Sequence, residues 1–351
     1  MTHFVLSGYF GFDNAGDEAI LSSMVASFKK KFPLVEITVL SNNPEKTSME
    51  LGVHAIDRWK YTEIISLLRH SDCLISGGGS LLQDVTGLKS LAYYLGVVRL
   101  AKLFGKPVFF YAQGIGPVQS SWGRTFMKYV VNKVDYITVR DKQSEQDLLE
   151  MDIFVPKITV TADPVLAMEP CSDVTHPKMI SVCVRDWSGE KKYWQALADV
   201  CDDYAKEGYE VFFIPFHYPQ DLEISKEIAV LMQNQALVIE KPLTVDEICS
   251  ALAHSEVVIG MRYHALVLAA INNVPFVGID YDPKVTRFLK QTGMPSAGKP
   301  ENVTAASLRT ALRQIYGNPE IKTKLAEKVA YLRGQAQKTN ELLVKFMNGE
   351  I

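Results

Sequence analysis

The sequence predicts an α/β protein built from two Rossmann-like domains. Short apolar segments of strand length alternate with longer segments of helical periodicity through most of the 351 residues. This alternation is typical of βαβ units around a parallel sheet. The pattern runs to the middle of the chain and then starts again, and the length suits two domains of ordinary size. A single wound domain with a decorated edge is the alternative.

The first half contains strand-like segments that are apolar on both faces, as expected for a sheet covered by helices on both sides. In order they are HFVLSGY, VEITVLS, DCLISGGG, PVFFYAQGI, YITVRD and ITVTADP. Between them lie segments with apolar residues three and four positions apart, such as DEAILSSMVASFKKKF and SLAYYLGVVRLAKLFG, which indicates helices. We therefore expect an N-terminal Rossmann-like domain over residues 1–165.

The second half repeats the pattern after a polar, proline-containing stretch at Asp163–Lys178. Its strand-like segments are MISVCVRDW, EVFFIPFH, ALVIEK, EVVIGMRYH and PFVGIDY. They predict a C-terminal Rossmann-like domain over residues 166–315, and the helical tail, residues 316–351, is expected to return toward the first domain. Two such domains facing across a cleft are a GT-B-like arrangement, in which ligands bind at the carboxyl ends of the strands.

Composition narrows the function classes. A net charge of -3 argues against nucleic acid as the main partner, because phosphate-backbone binding favours a basic excess. The sequence has no long apolar run and no signal-peptide pattern at its start, which predicts a cytoplasmic protein. The five cysteines are scattered without a CxxC pair, so we expect reduced thiols and neither a disulfide framework nor a metal site.

The first glycine-containing loop, SGYFGFDNAGDEAIL, follows the first predicted strand. Its acidic and amide residues Asp13, Asn14 and Asp17 stand where a helix is expected to start, at about Asp17. Acidic residues repel a pyrophosphate, whereas they accept hydrogen bonds from sugar hydroxyls and can deprotonate them. The alternative is that Asn14 or Asp17 caps the helix.

Two further glycine-rich segments end strands of the first half. ISGGGSLLQD carries Asp84, and AQGIGP carries Gln113. Glycines at strand ends let the backbone approach a ligand closely, so these segments predict a wide cleft wall formed by backbone. Asp84 is a candidate second acceptor-side carboxylate, and a solvated helix position is its alternative.

Two arginines end predicted strands in a similar way. Arg140 lies in TVRD and Arg185 in CVRDW. A guanidinium at the carboxyl end of a strand can form a fork onto a carboxylate or a phosphate. A structural Arg–Asp pair, such as Arg140 with Asp141, is the alternative.

The most specific motif is VVIGMRYHALVLAA, in which a buried strand ends at Gly260 and an alanine-rich helix follows. Arg262 and His264 are placed at the start of that helix. Backbone donors, the helix dipole and a guanidinium together favour an anion, and a histidine exchanges protons near neutral pH. His217, at the end of FIPFH, is a further candidate histidine.

Taken together, these motifs resemble the polysaccharide pyruvyl transferase family. The resemblance extends over nearly the whole chain and rests on GYFGFDNAGDEAIL, GGGSLLQD, AQGIGP, TADP, GMRYHAL and GIDYDPK. Within the family the chain is most similar to bacterial enzymes that pyruvylate a secondary cell-wall polymer. The resemblance implies transfer of a pyruvyl group from phosphoenolpyruvate to a sugar, as a 4,6-linked ketal on the N-acetylmannosamine of a lipid-linked disaccharide.

The resemblance also implies roles on the donor side. Arg262 and His264 match the family's Arg-x-His element, which is associated with the phosphoenolpyruvate site, and Arg140 or Arg185 is expected as a second cationic contact. His264 is the expected proton-transfer group. Phosphoenolpyruvate is a co-substrate, so no cofactor is expected.

On the acceptor side, the resemblance places the sugar against the acidic glycine loop, where Asp13, Asn14 and Asp17 lie, with Asp84 nearby. Asp17 is the expected base that accepts a hydroxyl proton. A lipid-linked acceptor would bring the enzyme to the inner membrane face. The segments LAYYLGVVRLAKLFGK and SSWGRTFMKYVVNK combine aromatic, aliphatic and basic residues, as interfacial helices do, although core helices with a basic outer face look the same.

Two other classes of function remain open at this point. A GT-B nucleotide-sugar-dependent glycosyltransferase of cell-wall biosynthesis shares the two-domain architecture, and fold alone does not separate the two. Such an enzyme needs a pocket for a nucleobase, and GMRYHAL indicates an anion site without one. A non-catalytic carbohydrate-binding protein would account for the loops but not for the pairing of Arg262 with His264.

Overall fold

A computed structural model of the chain describes residues 2–85, 87–172, 178–187 and 191–351. The chain forms two compact units. Unit 1 contains the chain up to Phe12, Asp17–Ala167 and Arg333–Ile351, and unit 2 contains Asp13–Gly16 and Met168–Leu332. The chain therefore passes between the units at the first loop, near residue 167, and within its last helix.

The strands of the described residues are β1 (His3–Ser7), β2 (Glu36–Ser41), β3 (His54–Asp57), β4 (Cys73–Gly77), β5 (Val108–Gln113), β6 (Tyr136–Val139), β7 (Lys157–Val160), β8 (Met179–Cys183), β9 (Glu210–Phe213), β10 (Leu237–Val238), β11 (Val257–Gly260), β12 (Phe276–Ile279) and β13 (Ser296–Gly298). The α-helices are α1 (Ala15–Lys31), α2 (Pro44–Leu51), α3 (Tyr61–His70), α4 (Leu88–Leu103), α5 (Ser121–Val131), α6 (Lys142–Glu150), α7 (Lys192–Lys206), α8 (Gln220–Leu231), α9 (Val245–Ala253), α10 (Tyr263–Ile271), α11 (Pro283–Thr292), α12 (Ala305–Tyr316) and α13 (Ile321–Met347). Pro164–Ala167 and Pro300–Asn302 form short 3₁₀ helices.

Unit 1 is built on a seven-stranded sheet with the order β3-β2-β1-β4-β5-β6-β7, and all its neighbouring strands are parallel. The order reverses at β1 and β4, so the loops after these two strands diverge to opposite sides and open a crevice at the carboxyl edge. The central strands are fully buried, and apolar residues such as Val5, Leu74 and Phe110 form the core with α3, α4 and α5.

The last part of α13, from Arg333 onward, belongs to unit 1. The Tyr111 hydroxyl donates a hydrogen bond of 2.5 Å to Asn340 Oδ1, and the Phe346 ring lies 5.5 Å from that of Phe109. A helix at the C-terminal end of the chain thus covers one face of the sheet, and its polar contacts there satisfy buried groups.

Unit 2 contains a six-stranded parallel sheet with the order β10-β9-β8-β11-β12-β13. Its order reverses at β8 and β11, which places the loops after these strands at the second switch point. Ile180, Val211 and Val257 are among the buried residues that pack against α7 and α12. The two parallel-sheet units confirm the α/β class of two Rossmann-like domains. Along the described part of the chain, no helix is long and apolar enough to cross a membrane.

Candidate functional site

Three cations surround one phenol at the carboxyl edge of the unit 2 sheet. Arg185 follows β8, Arg262 follows β11 and Lys284 lies beyond β12. The Arg185 guanidinium is 4.7 Å from the centroid of the Tyr281 ring, and Lys284 Nζ is 5.7 Å from it. Burial raises the pKa of Tyr281, but the positive charges of Lys284, Arg185 and Arg262 outweigh burial and leave that pKa below its ordinary value. Such a concentration of positive charge attracts an anion of more than one negative charge.

Arg262 forms a fork on a buried carboxylate of its own unit. Its Nε and Nη2 donate to the two oxygens of Asp221, at 2.7 and 2.5 Å. Asp221 also accepts hydrogen bonds from the backbone N–H groups of Phe216 and His217, at 3.2 and 2.9 Å. The carboxylate in this fork therefore belongs to the protein and not to a substrate. A planar guanidinium forms such a pair with any carboxylate presented edge-on. The fork holds Arg262 in one orientation and occupies two of its five N–H donors.

His217 lies beside this ion pair. Burial lowers its pKa, the positive charge of Arg262 lowers it further, and the negative charge of Asp221 acts in the opposite direction. The net direction is downward from 6.5, so His217 is neutral at pH 7 and can accept a proton. Asp221 was not recognised in the sequence, because a carboxylate one position into a helix resembles an ordinary first-turn acid.

His264 contacts the segment Asp13–Gly16. A Cβ atom on Gly16 would lie 2.2 Å from His264 Nδ1, so only glycine permits this approach of backbone to imidazole. The segment is held in unit 2 by backbone hydrogen bonds from Ala15 N to Phe216 O, at 2.7 Å, and from Tyr218 N to Asp13 O, at 3.2 Å. The structure therefore brings both histidines close to Asp13 and Asn14.

Asn14 also has the capping contact considered above, because its Oδ1 accepts a hydrogen bond of 3.2 Å from Gly16 N. Helix α1 accordingly begins at Ala15 and not at about Asp17. Asp13 has a φ of 55°, a left-handed conformation that aspartate tolerates better than most residues. Its role and that of Asn14 as acceptor contacts stay predictions.

Asp17 and Glu18 lie in unit 1, at the switch point of its sheet. Asp17 Oδ1 is 2.7 Å from the position of a Cβ atom on Gly79, whose φ of +71° already favours glycine. Glu18 accepts a hydrogen bond of 2.8 Å from Gly11 N. Burial raises the pKa of Glu18 to about 7, and the charge of Asp17 also raises it, against the hydrogen bond from Gly11.

Glu18 is a functional candidate that sequence reasoning did not select. A carboxyl group that titrates near neutral pH can give or take a proton at that pH, as general acid–base chemistry requires. The available signal was its position in the first helical turn, next to Asp17. That position alone does not distinguish a buried carboxyl group from a solvated one.

Arg140 lies in unit 1 among structural partners. It donates to Ser80 Oγ at 2.9 Å, and its nitrogens are 3.6 Å from Asp141 Oδ2 and 3.9 Å from Asp163 Oδ2. Its guanidinium fills the space next to Gly114, where a Cβ atom would be 2.5 Å from Cζ. These contacts match the structural Arg–Asp alternative, while donor binding by Arg140 stays a prediction.

Asp84 stands in the loop before α4 and not on the helix itself. Its carboxylate accepts hydrogen bonds of 2.7–3.0 Å from the backbone N–H groups of Gln119 and Ser120. Although slight burial acts to raise the pKa of Asp84, these hydrogen bonds outweigh it and lower that pKa. Asp84 therefore connects two loops, and its contact with an acceptor sugar stays a prediction. In the described ranges, no group of three His, Cys, Asp or Glu side chains is arranged to hold a metal ion.

The chain thus combines two α/β units with a cluster of cations and two histidines in unit 2 and a pair of carboxyl groups in unit 1. The sequence identifies the family, because residues 14–283 match the model of the polysaccharide pyruvyl transferases. The chain belongs to this family. It is also 22% identical over 257 residues to the amylovoran biosynthesis protein AmsJ of Erwinia amylovora. That match covers 65% of this chain and 61% of AmsJ, so the chain spans less than two thirds of that relative.

Solved structures resemble the chain over nearly its full length. The UDP-GlcNAc 2-epimerase of Neisseria meningitidis bound to UDP-GlcNAc is 15% identical with a TM-score of 0.68, over 98% of this chain and 100% of that one. S. aureus MnaA with UDP is 12% identical with a TM-score of 0.68, over 100% and 98% of the two chains. Anabaena HepE with UDP and glucose is 10% identical with a TM-score of 0.64, over 99% and 100%. These similarities confirm the GT-B-like fold class.

Proposed function

We propose that the chain transfers the pyruvyl group of phosphoenolpyruvate to two hydroxyl groups of a sugar, forming a pyruvate ketal and releasing phosphate. The observation that carries this proposal is the cluster of Arg185, Arg262 and Lys284 around Tyr281. Phosphoenolpyruvate has a phosphate and a carboxylate on adjacent atoms, and such a compact multiply charged anion needs several cations close together. Membership of the pyruvyl transferase family supports the same group transfer.

The proposed reaction has two steps, an addition to C2 of phosphoenolpyruvate and the replacement of its phosphate. In the first, a proton is delivered to the methylene carbon of phosphoenolpyruvate, and one sugar hydroxyl loses its proton and bonds to C2. In the second, the C2–O bond to phosphate breaks, the second hydroxyl bonds to C2, and its proton leaves with the phosphate. His264 is the proposed proton donor to carbon, since its imidazole lies beside the Asp13–Gly16 segment. His217 is neutral at pH 7 and suits proton transfer to or from the oxygens.

The three cations have different roles in this proposal. The Asp221 fork orients Arg262 and cancels much of its charge. Lys284 Nζ also lies 3.6 Å from Asp282 Oδ2, so Arg185 supplies most of the attraction for the donor in this proposal. Asp17 and Glu18 are the proposed carboxyl groups on the acceptor side, with Asp17 as the base. Asp13, Asn14 and Asp84 are further proposed acceptor contacts.

The acceptor we propose is a lipid-linked disaccharide whose N-acetylmannosamine carries the ketal at O4 and O6. This part of the proposal rests on the sequence motifs and their resemblance. We also propose that the enzyme is cytoplasmic and contacts the inner membrane face when it binds this acceptor. No cofactor takes part in the proposed reaction.

The donor is tested by calorimetry with phosphoenolpyruvate and with UDP-N-acetylglucosamine, on the wild type and two variants. Arg185→Gln should weaken phosphoenolpyruvate binding about 10- to 100-fold, the value of one or two charged hydrogen bonds. Arg309→Gln is the matched control, because Arg309 pairs with Asp203 on the surface of unit 2 and should leave binding unchanged. Binding of the nucleotide sugar in preference to phosphoenolpyruvate would favour the glycosyltransferase alternative. Phosphate release with sugar acceptors completes the test.

A further inference from the structure

Unit 1 contains an open aromatic pocket of about 800 Å³ between the loop after β1 and helices α3 and α4. Its aromatic lining consists of Tyr9, Phe12, Trp59, Tyr61, Tyr93 and Tyr94. This volume is within the range of small-molecule sites, about 300–1,000 Å³. Trp59 and Tyr61 are 52% and 55% exposed, so their rings are accessible to a ligand in the pocket. The residues proposed above for donor and acceptor do not account for this pocket.

A buried arginine stands in the wall of this aromatic pocket. Arg58 is 3% exposed, and its guanidinium lies 4.2 Å from the ring centroid of Tyr93 and 5.0 Å from that of Phe12. Nη1 donates to Gly8 O at 3.2 Å. Nε is buried without a hydrogen-bond partner, and no carboxylate of the described residues forms an ion pair with Arg58. A buried cation with an unmet donor is costly unless a ligand supplies acceptor oxygens.

The pocket adjoins the carboxyl groups of the acceptor side. The Tyr9 ring stacks on that of Phe12 at 4.1 Å. Burial raises the pKa of Tyr9, the charge of Asp17 raises it further, Arg58 lowers it and Glu18 raises it. Gly11, whose N–H donates to Glu18 at 2.8 Å, directly precedes Phe12 in the pocket wall, so the pocket and this carboxyl group share the loop after β1.

We propose that the aromatic pocket binds a sugar ring of the acceptor, next to the ring whose hydroxyls face Asp17 and Glu18. A pyranose has C–H faces that stack on aromatic rings and oxygens that accept from Arg58, so it satisfies both kinds of group in the wall. A hydrocarbon chain would cover the rings but would offer the Arg58 guanidinium no acceptor oxygen. The inference rests on the proposed function for the identity of the saccharide, and its binding is testable without phosphoenolpyruvate.

Gly96 provides the variant that fills the pocket. It lies on α4 and lines the pocket, and a Cβ atom there meets nothing within 4 Å. Gly96→Leu therefore projects a side chain into the open space without a backbone clash at Cβ, and replacing a helical glycine favours the helix. Gly96→Ala is the matched control, because it changes the helix in the same way and leaves most of the space open.

The test is a titration of intrinsic fluorescence with an N-acetylmannosaminyl disaccharide, with the methyl glycoside of N-acetylmannosamine and with farnesol, in the absence of phosphoenolpyruvate. Trp59→Phe identifies the signal of Trp59 among the four tryptophans. We expect the disaccharide to change Trp59 fluorescence, and Gly96→Leu to weaken its binding at least about tenfold. Gly96→Ala should bind it like the wild type, and the monosaccharide should bind all of these proteins alike.

Three results would overturn the inference. They are disaccharide binding that is unchanged in Gly96→Leu, no disaccharide binding to the wild type at millimolar concentration, and a Trp59 response to farnesol but not to sugars. The proposed function fails separately. If the disaccharide binds at Trp59 but the wild type releases no phosphate from phosphoenolpyruvate in its presence, that result would support the sugar-binding pocket and contradict the proposed pyruvyl transfer.

Discussion

Replacing Glu18 with Gln should make unit 1 more stable at alkaline pH and leave it unchanged at acidic pH. Glu18 is partly buried in the first turn of α1 and accepts a hydrogen bond from Gly11 N. Protonated glutamate and glutamine have nearly the same shape, and both retain a carbonyl oxygen for that bond. The substitution therefore removes the ionisation of the side chain while preserving its packing.

The magnitude follows from the shift in proton affinity. Burial is the main cause that raises the pKa of Glu18 from 4.5 to about 7. Each tenfold change in proton affinity is worth about 1.36 kcal/mol, so ionising Glu18 costs the folded state about 3 kcal/mol. The helix dipole favours a charge in the first turn by about 0.3–1 kcal/mol, which is too small to reverse the sign.

The pH window follows from the same two values. Below pH 4.5 both the folded and the unfolded chain keep the proton, so Glu18 costs nothing there. Between 4.5 and about 7 the folded chain holds the proton more tightly than the unfolded chain, and stability falls as pH rises. Above about pH 7 the folded state carries the full free-energy cost of ionising Glu18. Glutamine does not titrate, so the advantage of Glu18→Gln grows across this window and is then constant.

The assay is thermal unfolding of both proteins at pH 4.5 and pH 8. A difference of about 3 kcal/mol corresponds to a rise in Tm of about 6–12 °C for a unit of this size, and we expect that rise at pH 8 and almost none at pH 4.5. Glu150→Gln, on the exposed face of α6, is the control and should shift Tm equally at both pH values. If Glu18→Gln and the wild type lose stability in parallel between these pH values, the buried-carboxyl reasoning is wrong.

Three further predictions concern the proposed chemistry in unit 2. His264→Ala should lower phosphate release about 10²–10⁴-fold with an unchanged Tm, and near wild-type turnover would exclude it as a proton-transfer group. Gly16→Ala places a Cβ atom 2.2 Å from His264 Nδ1, so it should displace the imidazole and cost nearly as much activity. The double variant should then be no worse than His264→Ala alone, and additive losses would contradict this coupling. Arg262→Lys loses the fork on Asp221 and should destabilise unit 2 by about 1.5–3 kcal/mol while raising the KM for phosphoenolpyruvate. An unchanged urea midpoint would show that the fork contributes no stability.

The sequence predicted all of the central strands and two of the four edge strands. The apolar segments of β1, β4, β5, β8 and β11 are fully buried, and burial on both faces is what produces a continuous apolar run. In contrast, β3 and β13 were not predicted. They stand at sheet edges, are short and are partly exposed, so their residues need not be apolar and carry little periodic signal.

The sequence indicates candidate site residues where a motif follows a buried strand, and it does not indicate contacts between distant parts of the chain. Arg262 and His264 were found because a strand end, an arginine and a histidine stand together in the sequence. Asp221 and Glu18 were missed because their properties come from partners distant in sequence or from burial. The fork of Arg262 joins residues 41 positions apart, and no local pattern indicates such a pairing.

The first loop illustrates why neighbouring residues need not share a role. The sequence treated Asp13, Asn14 and Asp17 as one acceptor-facing element. In the structure, Asp13–Gly16 belongs to unit 2 and approaches His264, whereas Asp17 belongs to unit 1 and approaches Gly79. Asn14 and Asp17 are both proposed acceptor contacts, so Asn14→Ala and Asp17→Asn should each raise the KM for the sugar, and only Asp17→Asn should also lower kcat by about 10²–10⁴-fold, because Asp17 is the proposed base.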